Sequence, residues 1–394
     1  MLKKLAMNIV RLFYKLNIYK KMYNTWRYTI ASSIDKPVPC ENKKNIIFEL
    51  RSRRDERIAI ILFYFFDQCF ANSYLIKNNL HLSSFLNFKS DLVKIKSVFI
   101  VKKPVMRIDL VLCDTGKIAH EYMVKYPNIP VLYYDVCCFK RTISGVRLKQ
   151  DFIVMPYAMH PTIYKLNQIS KISYLRKSDR LFRIFFSGNS IMPLYDNYNL
   201  KSLFEILSRA QIISSLQQEL DASSLVPFDK CMCLTKSGYI NKLVLHVWTE
   251  QTRLAQSELI KYDEWLDTLA KADFFLHCPG IAVPQCHNQI ESMAVGCIPI
   301  TEFPHMFEPA LENGINCISY KGESGLLTAI QMVLSMPTKE ITNLRNNVIN
   351  YYDSWLSPQA FVSRLEAKIQ YSNSDRQKFY IISDYSVEYL LREI

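Results

Sequence analysis

Two apolar runs, joined through a turn and a helix that carries one acid, constrain this chain more than any other feature. Ala272-Asp273-Phe274-Phe275-Leu276-His277 reads as a buried strand and Cys278-Pro279-Gly280 as the turn that ends it. Cys286 to Val295 then reads as a helix, Gly296 as its stop, and Cys297-Ile298-Pro299-Ile300 as the next strand. Short apolar strands alternating with helices require a parallel sheet covered on both faces. Glu291 is the only acid of that helix, and burying it unpaired would cost several kcal/mol. A helix that starts at the C-terminal edge of a parallel sheet is where α/β folds bind phosphate groups.

The same grammar recurs upstream. Asn45–Leu50 reads as a strand, Arg51–Arg57 as a polar loop and Ile58–Phe70 as a helix. Ser97–Lys102 and Arg107–Asp114 read as strands, the second ended by Thr115-Gly116; Ile118–Tyr126 reads as a helix and Val131–Asp135 as a strand. Pro156 and Pro161 bracket a stiff segment that cannot be helical, which suits a connector. A fresh strand begins at Phe182 and ends in Gly188-Asn189, a turn that brings backbone N–H groups close to a ligand. Helix 200–220, strand Lys242–Val247, helix Tyr262–Lys271, strand Cys317–Tyr320, helix Ser324–Met336 and a helical region 340–370 complete the pattern. With 394 residues there is length for two α/β halves, each with its own core.

Composition excludes several classes. An apolar fraction of 49% and a charged fraction of 22% are those of a globular chain rather than a disordered one. The net charge of +13 points to an anionic partner. It is unevenly placed: residues 1–34 hold Lys3, Lys4, Arg11, Lys15, Lys20, Lys21 and Arg27 and no acid. With this arm set aside the chain is only mildly basic, which argues against nucleic acid as a partner. Leu2, Leu5, Ile9, Leu12, Phe13 and Leu16 form an apolar stripe along the arm, so residues 2–27 are expected to lie on an anionic membrane surface. The eleven cysteines are scattered, many of them inside apolar runs, as small hydrophobes in a reducing compartment. Cys231-Met232-Cys233 lacks the second pair that a zinc site needs. No apolar run is long enough to span a bilayer, and no cleavable signal follows the N-terminus, so a cytoplasmic location is expected.

Phe186-Ser187-Gly188-Asn189, Pro156-x-x-Met159-His160-Pro161 and Glu291-Ser292-Met293-Ala294-x-Gly296-Cys297-Ile298-Pro299 together resemble the GT-B glycosyltransferases. Within these the resemblance is to bacterial exostosin-like and group 1 enzymes of surface-polysaccharide synthesis. It covers the layout of residues 45–370, although the specific motifs are short. It implies an α/β GT-B fold of two Rossmann-like domains facing a cleft. The layout would be a basic arm over 1–30, an acceptor domain over 45–160, a nucleotide-sugar donor domain over 182–348 and, over 349–394, helices that pack back toward the first domain.

The resemblance also implies roles. Glu291 would accept hydrogen bonds from the donor ribose, with two oxygens suited to a vicinal diol. His287 and Asn288 would lie near the donor diphosphate at the positive end of the helix, and Gly188 and Asn189 would approach it from the opposite wall. His160, Asp114 and Asp135 are candidate acid/base residues, the aspartates as strand-end carboxylates. No Asp-x-Asp pair ends a strand, so neither a metal nor another cofactor is expected. The second glutamate that many retaining members carry eight positions before Glu291 is Val283 here, which leaves the stereochemical outcome open. The expected activity is sugar transfer from a nucleotide sugar to a glycan or lipid-linked acceptor, at the inner face of the plasma membrane.

Structural readings stand beside these. Glu291 could be a helix-surface carboxylate, His287 a cap, Gly188-Asn189 a plain turn and His160 a brace for the connector. Arg51, Arg53, Arg54 and Arg57 could form an acceptor edge or a solvated loop. A catalytically silent GT-B scaffold and a basic nucleotide- or nucleic-acid-binding Rossmann protein remain as rivals to the enzyme.

Overall fold

The computed structural model describes residues 42–50, 56–69, 71–76, 95, 97–101, 107–134, 152–189, 195–196, 201–202, 204–229, 238–248, 259–281, 283–371 and 378–382. The basic arm 1–30, Arg51, Arg53, Arg54, Asp135 and the Cys231/Cys233 pair lie outside them. The chain forms two compact units: one runs up to Ile153 and is joined by Val362–Ile382, the other comprises Val154–Phe361.

The first unit is built on a sheet in the order β3-β2-β1-β4-β5-β13-β6. Its strands are β1 (Asn45–Glu49), β2 (Asn72–Ile76), β3 (Val98–Val101), β4 (Leu110–Cys113), β5 (Val131–Tyr134), β6 (Phe152–Val154) and β13 (Lys378–Ile382). β1 pairs in parallel with both β2 and β4, and β5 in parallel with both β4 and β13. The middles of the central strands are apolar because helices cover both faces: Ile47 and Phe48 of β1 and Val111 of β4 are fully buried. Helix α1 (Glu56–Gln68) contributes Leu62, Phe63 and Phe65 to that core, and α2 (Gly116–Lys125) contributes Ile118 and Ala119. Thr115 caps α2 by accepting from the Ile118 amide.

The tail read as helical carries a strand instead. After α9 (Pro358–Tyr371), β13 adds its Lys378-Phe379-Tyr380-Ile381 register to Val131–Tyr134 of β5. The five residues, of which Phe379-Tyr380-Ile381-Ile382 are apolar, pair beside a parallel strand and are too few for a helix of their own.

The second unit carries a parallel sheet in the order β12-β11-β10-β7-β9-β8. Its strands are β7 (Phe182–Asn189), β8 (Leu225–Pro227), β9 (Ile240–Trp248), β10 (Ala272–Leu276), β11 (Ile298–Thr301) and β12 (Ile318–Ser319). Phe182, Phe185, Phe186, Phe274 and Phe275 fill its core. The helices α3 (Pro161–Lys165), α4 (Arg209–Glu219), α5 (Tyr262–Leu269), α6 (His287–Ala294), α7 (Gly322–Ser335) and α8 (Thr338–Tyr351) connect and cover the strands.

The division between the units falls after Ile153, ahead of the span 160–182 that the sequence suggests. The connector goes with the second unit because it is bonded there: the Ala158 carbonyl and the His160 amide both bind α6 side chains. α6 ends where the sequence expects. Gly296 turns the chain at φ +84, and the Cys297 amide donates to the Ser292 carbonyl at 2.9 Å. Cations complement that helix end: Arg176 Nε donates to the Ala294 carbonyl at 2.8 Å and Arg180 Nη2 to the Val295 carbonyl at 3.0 Å.

Candidate functional site

In the second unit the chain leaves β7 for β9 and β8 on one side, then returns to β10 on the other. Strand order reverses between β7 and β10, and open α/β sheets bind ligands at that crevice, beyond the carboxyl ends of the strands. Gly188 and Asn189 end β7 at this point, and His277, Cys278, Pro279 and Gly280 follow β10.

Arg209 spans the two loops. The side chain is buried; its Nε donates to the Pro279 carbonyl at 3.0 Å and its Nη1 to the Asn189 carbonyl at 3.1 Å. Its guanidinium also lies 4.2 Å from the Tyr195 ring centroid. Arg209 opens α4 next to the Ser208–Gln211 capping box, so this cation sits at the positive end of a helix. That placement is unfavourable for helix formation and is the signal in the sequence that could have singled the residue out.

The loop between β10 and α6 is held from inside. Gln289 has no exposed surface; its amide donates to the carbonyls of Cys278 and Pro284, and its oxygen accepts from the Cys286 amide. A Cβ on Gly280 would lie 2.8 Å from the Val283 carbonyl and 3.1 Å from that of Gln285. Both contacts are backbone, so Gly280→Ala is expected to force the loop open and cost about 1–3 kcal/mol. Thermal melting of the variant measures this, and an unchanged melting temperature would show that the loop yields freely.

His277 is fully buried, and burial drives its imidazole pKa down to about 3. The Ser292 hydroxyl donates to the Gln289 carbonyl at 2.8 Å, so it accepts from His277 Nε2 at 3.3 Å. That assignment places the proton on Nε2 and leaves Nδ1 as a buried acceptor without a hydrogen-bond partner.

Glu291 is 2% exposed and not at the helix surface. One oxygen accepts from the His160 amide at 2.7 Å and the other from Trp265 Nε1 at 2.6 Å. Burial raises its pKa to about 7, and the two donors hold it below where burial alone would put it. The His160 ring caps α3 by accepting from the Thr162 amide and stacks on Tyr262 at 4.6 Å. His287 donates from Nδ1 to the Ala158 carbonyl at 2.7 Å and meets the His160 ring edge-on at 5.3 Å. The structure thus gathers Glu291, His160 and His287 into one cluster on the connector and α6. Asn288 accepts from the Cys286 thiol at 2.5 Å, in the first turn of α6.

Glu302, at the end of β11, is a buried acid that the sequence reading passed over. Its oxygens accept from the Leu207 amide at 2.6 Å and the Gly322 amide at 2.9 Å, tying the loop before α4 to the first turn of α7.

The sheet of the first unit reverses between β1 and β4. Asp114 follows β4 there and is buried; Glu49, whose Cα pairs with that of Cys113, ends β1 beside it. The Tyr122 hydroxyl has its pKa raised, first by burial and then by its hydrogen bond to Glu49. Glu49 is a second strand-end carboxylate, overlooked because it reads as the last residue of an apolar strand. Asp135 lies outside the described residues.

Among the described residues no group of three or more His, Cys, Asp or Glu side chains could hold a metal ion. Nor is any helix among them long and apolar enough to cross a membrane. No protein-family pattern matches the chain, and no curated protein matches it by sequence. Solved structures that it is similar to include Anabaena Alr3699/HepE in complex with UDP and glucose, at 10% identity and a TM-score of 0.39, covering 83% of this chain and 100% of that one. A glycosyltransferase from Rickettsia africae is similar at 12% identity and a TM-score of 0.42, covering 84% of this chain and 100% of that one. The N-terminal domain of Candida albicans trehalose-6-phosphate phosphatase is similar at 11% identity and a TM-score of 0.42, covering 85% of this chain and 99% of that one.

Proposed function

We propose that the protein is a GT-B glycosyltransferase that moves a sugar from a nucleotide-activated donor to a glycan or lipid-linked acceptor in surface-polysaccharide synthesis. One observation carries the reading: the β7/β10 crevice of the second unit, bridged by the buried Arg209 guanidinium, with the first turn of α6 beside it. A diphosphate is the ligand that such a combination of cation, helix N-terminus and close backbone suits.

In this reading the second unit holds the donor. Gly188 and Asn189 form one wall, and His287, Asn288 and the α6 amides form the other. The leaving diphosphate is stabilised by those amides and by Arg209. Glu291 is already fixed by one hydrogen bond on each oxygen, and each oxygen keeps a second lone pair for the ribose diol. The first unit holds the acceptor, and Asp114 or Asp135 takes the proton of the attacking hydroxyl. His160 serves by positioning Glu291 through its amide. Residues 2–27, with their seven basic residues and apolar pattern, keep the enzyme at the anionic inner face of the plasma membrane, where a lipid-linked acceptor resides.

The test is a thermal-shift panel of nucleotide sugars on the purified chain, followed by donor hydrolysis with the best ligand. A ligand at 100 times its dissociation constant stabilises by about 2.7 kcal/mol, which raises the melting temperature by roughly 5–10 °C for a unit of this size. Slow hydrolysis of that donor separates an enzyme from a silent scaffold. A panel without any shift would overturn the assignment.

A further inference from the structure

The opposite edge of the same sheet holds a second concentration of charge that the proposed activity does not use. Arg183 lies at the start of β7, Asp273 at the start of β10 and Tyr239 just before β9; Thr338 and Arg345 come from α8. Together with Arg180 they line a recess of about 260 Å3.

The charges in it do not balance. Among the described residues lining the recess, Asp273 is the only carboxylate against three guanidinium groups. It already accepts from Arg345 Nη2 and from the Tyr239 hydroxyl. Arg180 directs its donors to the neutral carbonyls of Ala270, Ala272 and Val295 rather than to a carboxylate. The Arg183 side chain is 10% exposed; its Nε donates to Asn241 at 2.8 Å, while Nη1 stands 4.0 Å from Asp273. Nη1 of Arg183 and Nε of Arg345 are both buried without a hydrogen-bond partner. Donors of this kind, left unmatched beside uncompensated positive charge, are costly to keep unless an oxyanion can enter and bind them.

We propose that this recess is a second anion site, separate from the β7/β10 crevice, which takes the phosphate group of a soluble phosphate ester or of a lipid headgroup. Guanidinium forks match the geometry of phosphate oxygens, and a point-charge lysine would not. The exposed Thr338 stands at its rim, in the first turn of α8.

The test uses the full-length chain titrated with inorganic phosphate by calorimetry, against sodium chloride of matched ionic strength. One phosphate is expected to bind per chain at the recess, counted apart from any at the β7/β10 crevice by repeating the titration on Arg209→Met. Thr338→Glu places an acid at the mouth, in a first helical turn that tolerates it, and should weaken phosphate about tenfold or more while leaving the melting temperature unchanged. Arg183→Gln should weaken it similarly, and Arg209→Met, at the other end of the sheet, should leave it intact. Glycerol phosphate competing with phosphate, without pelleting on phosphatidic-acid vesicles, assigns a soluble ester; pelleting that phosphate competes away and Thr338→Glu abolishes assigns a headgroup. Phosphate binding that is absent, or that neither variant at the recess weakens, would overturn the site.

Discussion

Glu291→Ala is expected to abolish donor binding and to lower the melting temperature of the second unit by roughly 10 °C. The sequence alone predicts a loss of transfer with the fold intact; the buried geometry changes that expectation. Removing the carboxylate leaves the His160 amide and Trp265 Nε1 without acceptors, each at about 1–3 kcal/mol, and adds a cavity. About 3–5 kcal/mol in a unit of this size corresponds to that shift. Glu291→Gln is not conservative here. Its oxygen can serve one of the two donors, but its amide NH2, itself a donor, then faces the other, so an intermediate loss of both stability and binding is expected.

The titration of Glu291 gives an independent reading. Burial raises its folded pKa from 4.5 to about 7, so the folded state holds its proton more tightly than the unfolded state does. The stabilisation that this provides is fully present below pH 4.5 and is lost as the pH rises through about 7. It amounts to roughly 3 kcal/mol. Melting curves from pH 4.5 to 8 should therefore show wild type losing stability relative to Glu291→Gln, which does not titrate. A ribose diol donates to the ionised form, so donor affinity should rise across the same window. Parallel melting curves, together with a donor affinity independent of pH, would remove Glu291 from the site.

Much of the fold was legible because local signals agreed with the tertiary outcome. The run from Ala272 to Ile300 announces strand, turn, helix, glycine stop and strand in order, and each appears within a residue or two of its expected place. β2 was not legible because it follows α1 after only three residues, with no Gly or Pro between them and only short polar pairs, Asp67-Gln68 and Asn72-Ser73, to mark the change. β8 is three residues ending in proline, and β13 is a lone apolar run whose partner strand lies far upstream. Neither has a local signal: β8 exists because β9 leaves an edge to pair with, and β13 because it fits between β5 and β6.

The site was legible to a similar depth. The glutamate in α6 could be singled out as an unusual acid, but not its partners: His160 is 131 residues away in sequence and is bound through its backbone, which carries no residue code. Arg209 is a different case. A cation opening a helix whose only acid, Glu219, stands at the far end conflicts with the helix dipole, and that conflict is visible without any structure. Such violations are expected at functional positions, where local preference gives way to a ligand.

The second large effect is expected at Arg209. Lysine offers a point charge on a flexible stem, so Arg209→Lys cannot donate to the Asn189 and Pro279 carbonyls in one plane. Arg209→Met removes the charge and keeps much of the length. If the guanidinium faces a diphosphate, each variant loses charged hydrogen bonds worth about 1.5–3 kcal/mol, which is a roughly 10- to 100-fold weaker Kd for a nucleoside diphosphate. Calorimetry with the matching unphosphorylated nucleoside separates this from a general collapse of the crevice. The nucleoside touches the ribose and base positions only, so its affinity should hold while that of the diphosphate falls. Equal losses for both ligands would make Arg209 a strut between the end of β7 and the loop after β10, and the donor diphosphate would then have to be held by the α6 amides and the end of β7 without it.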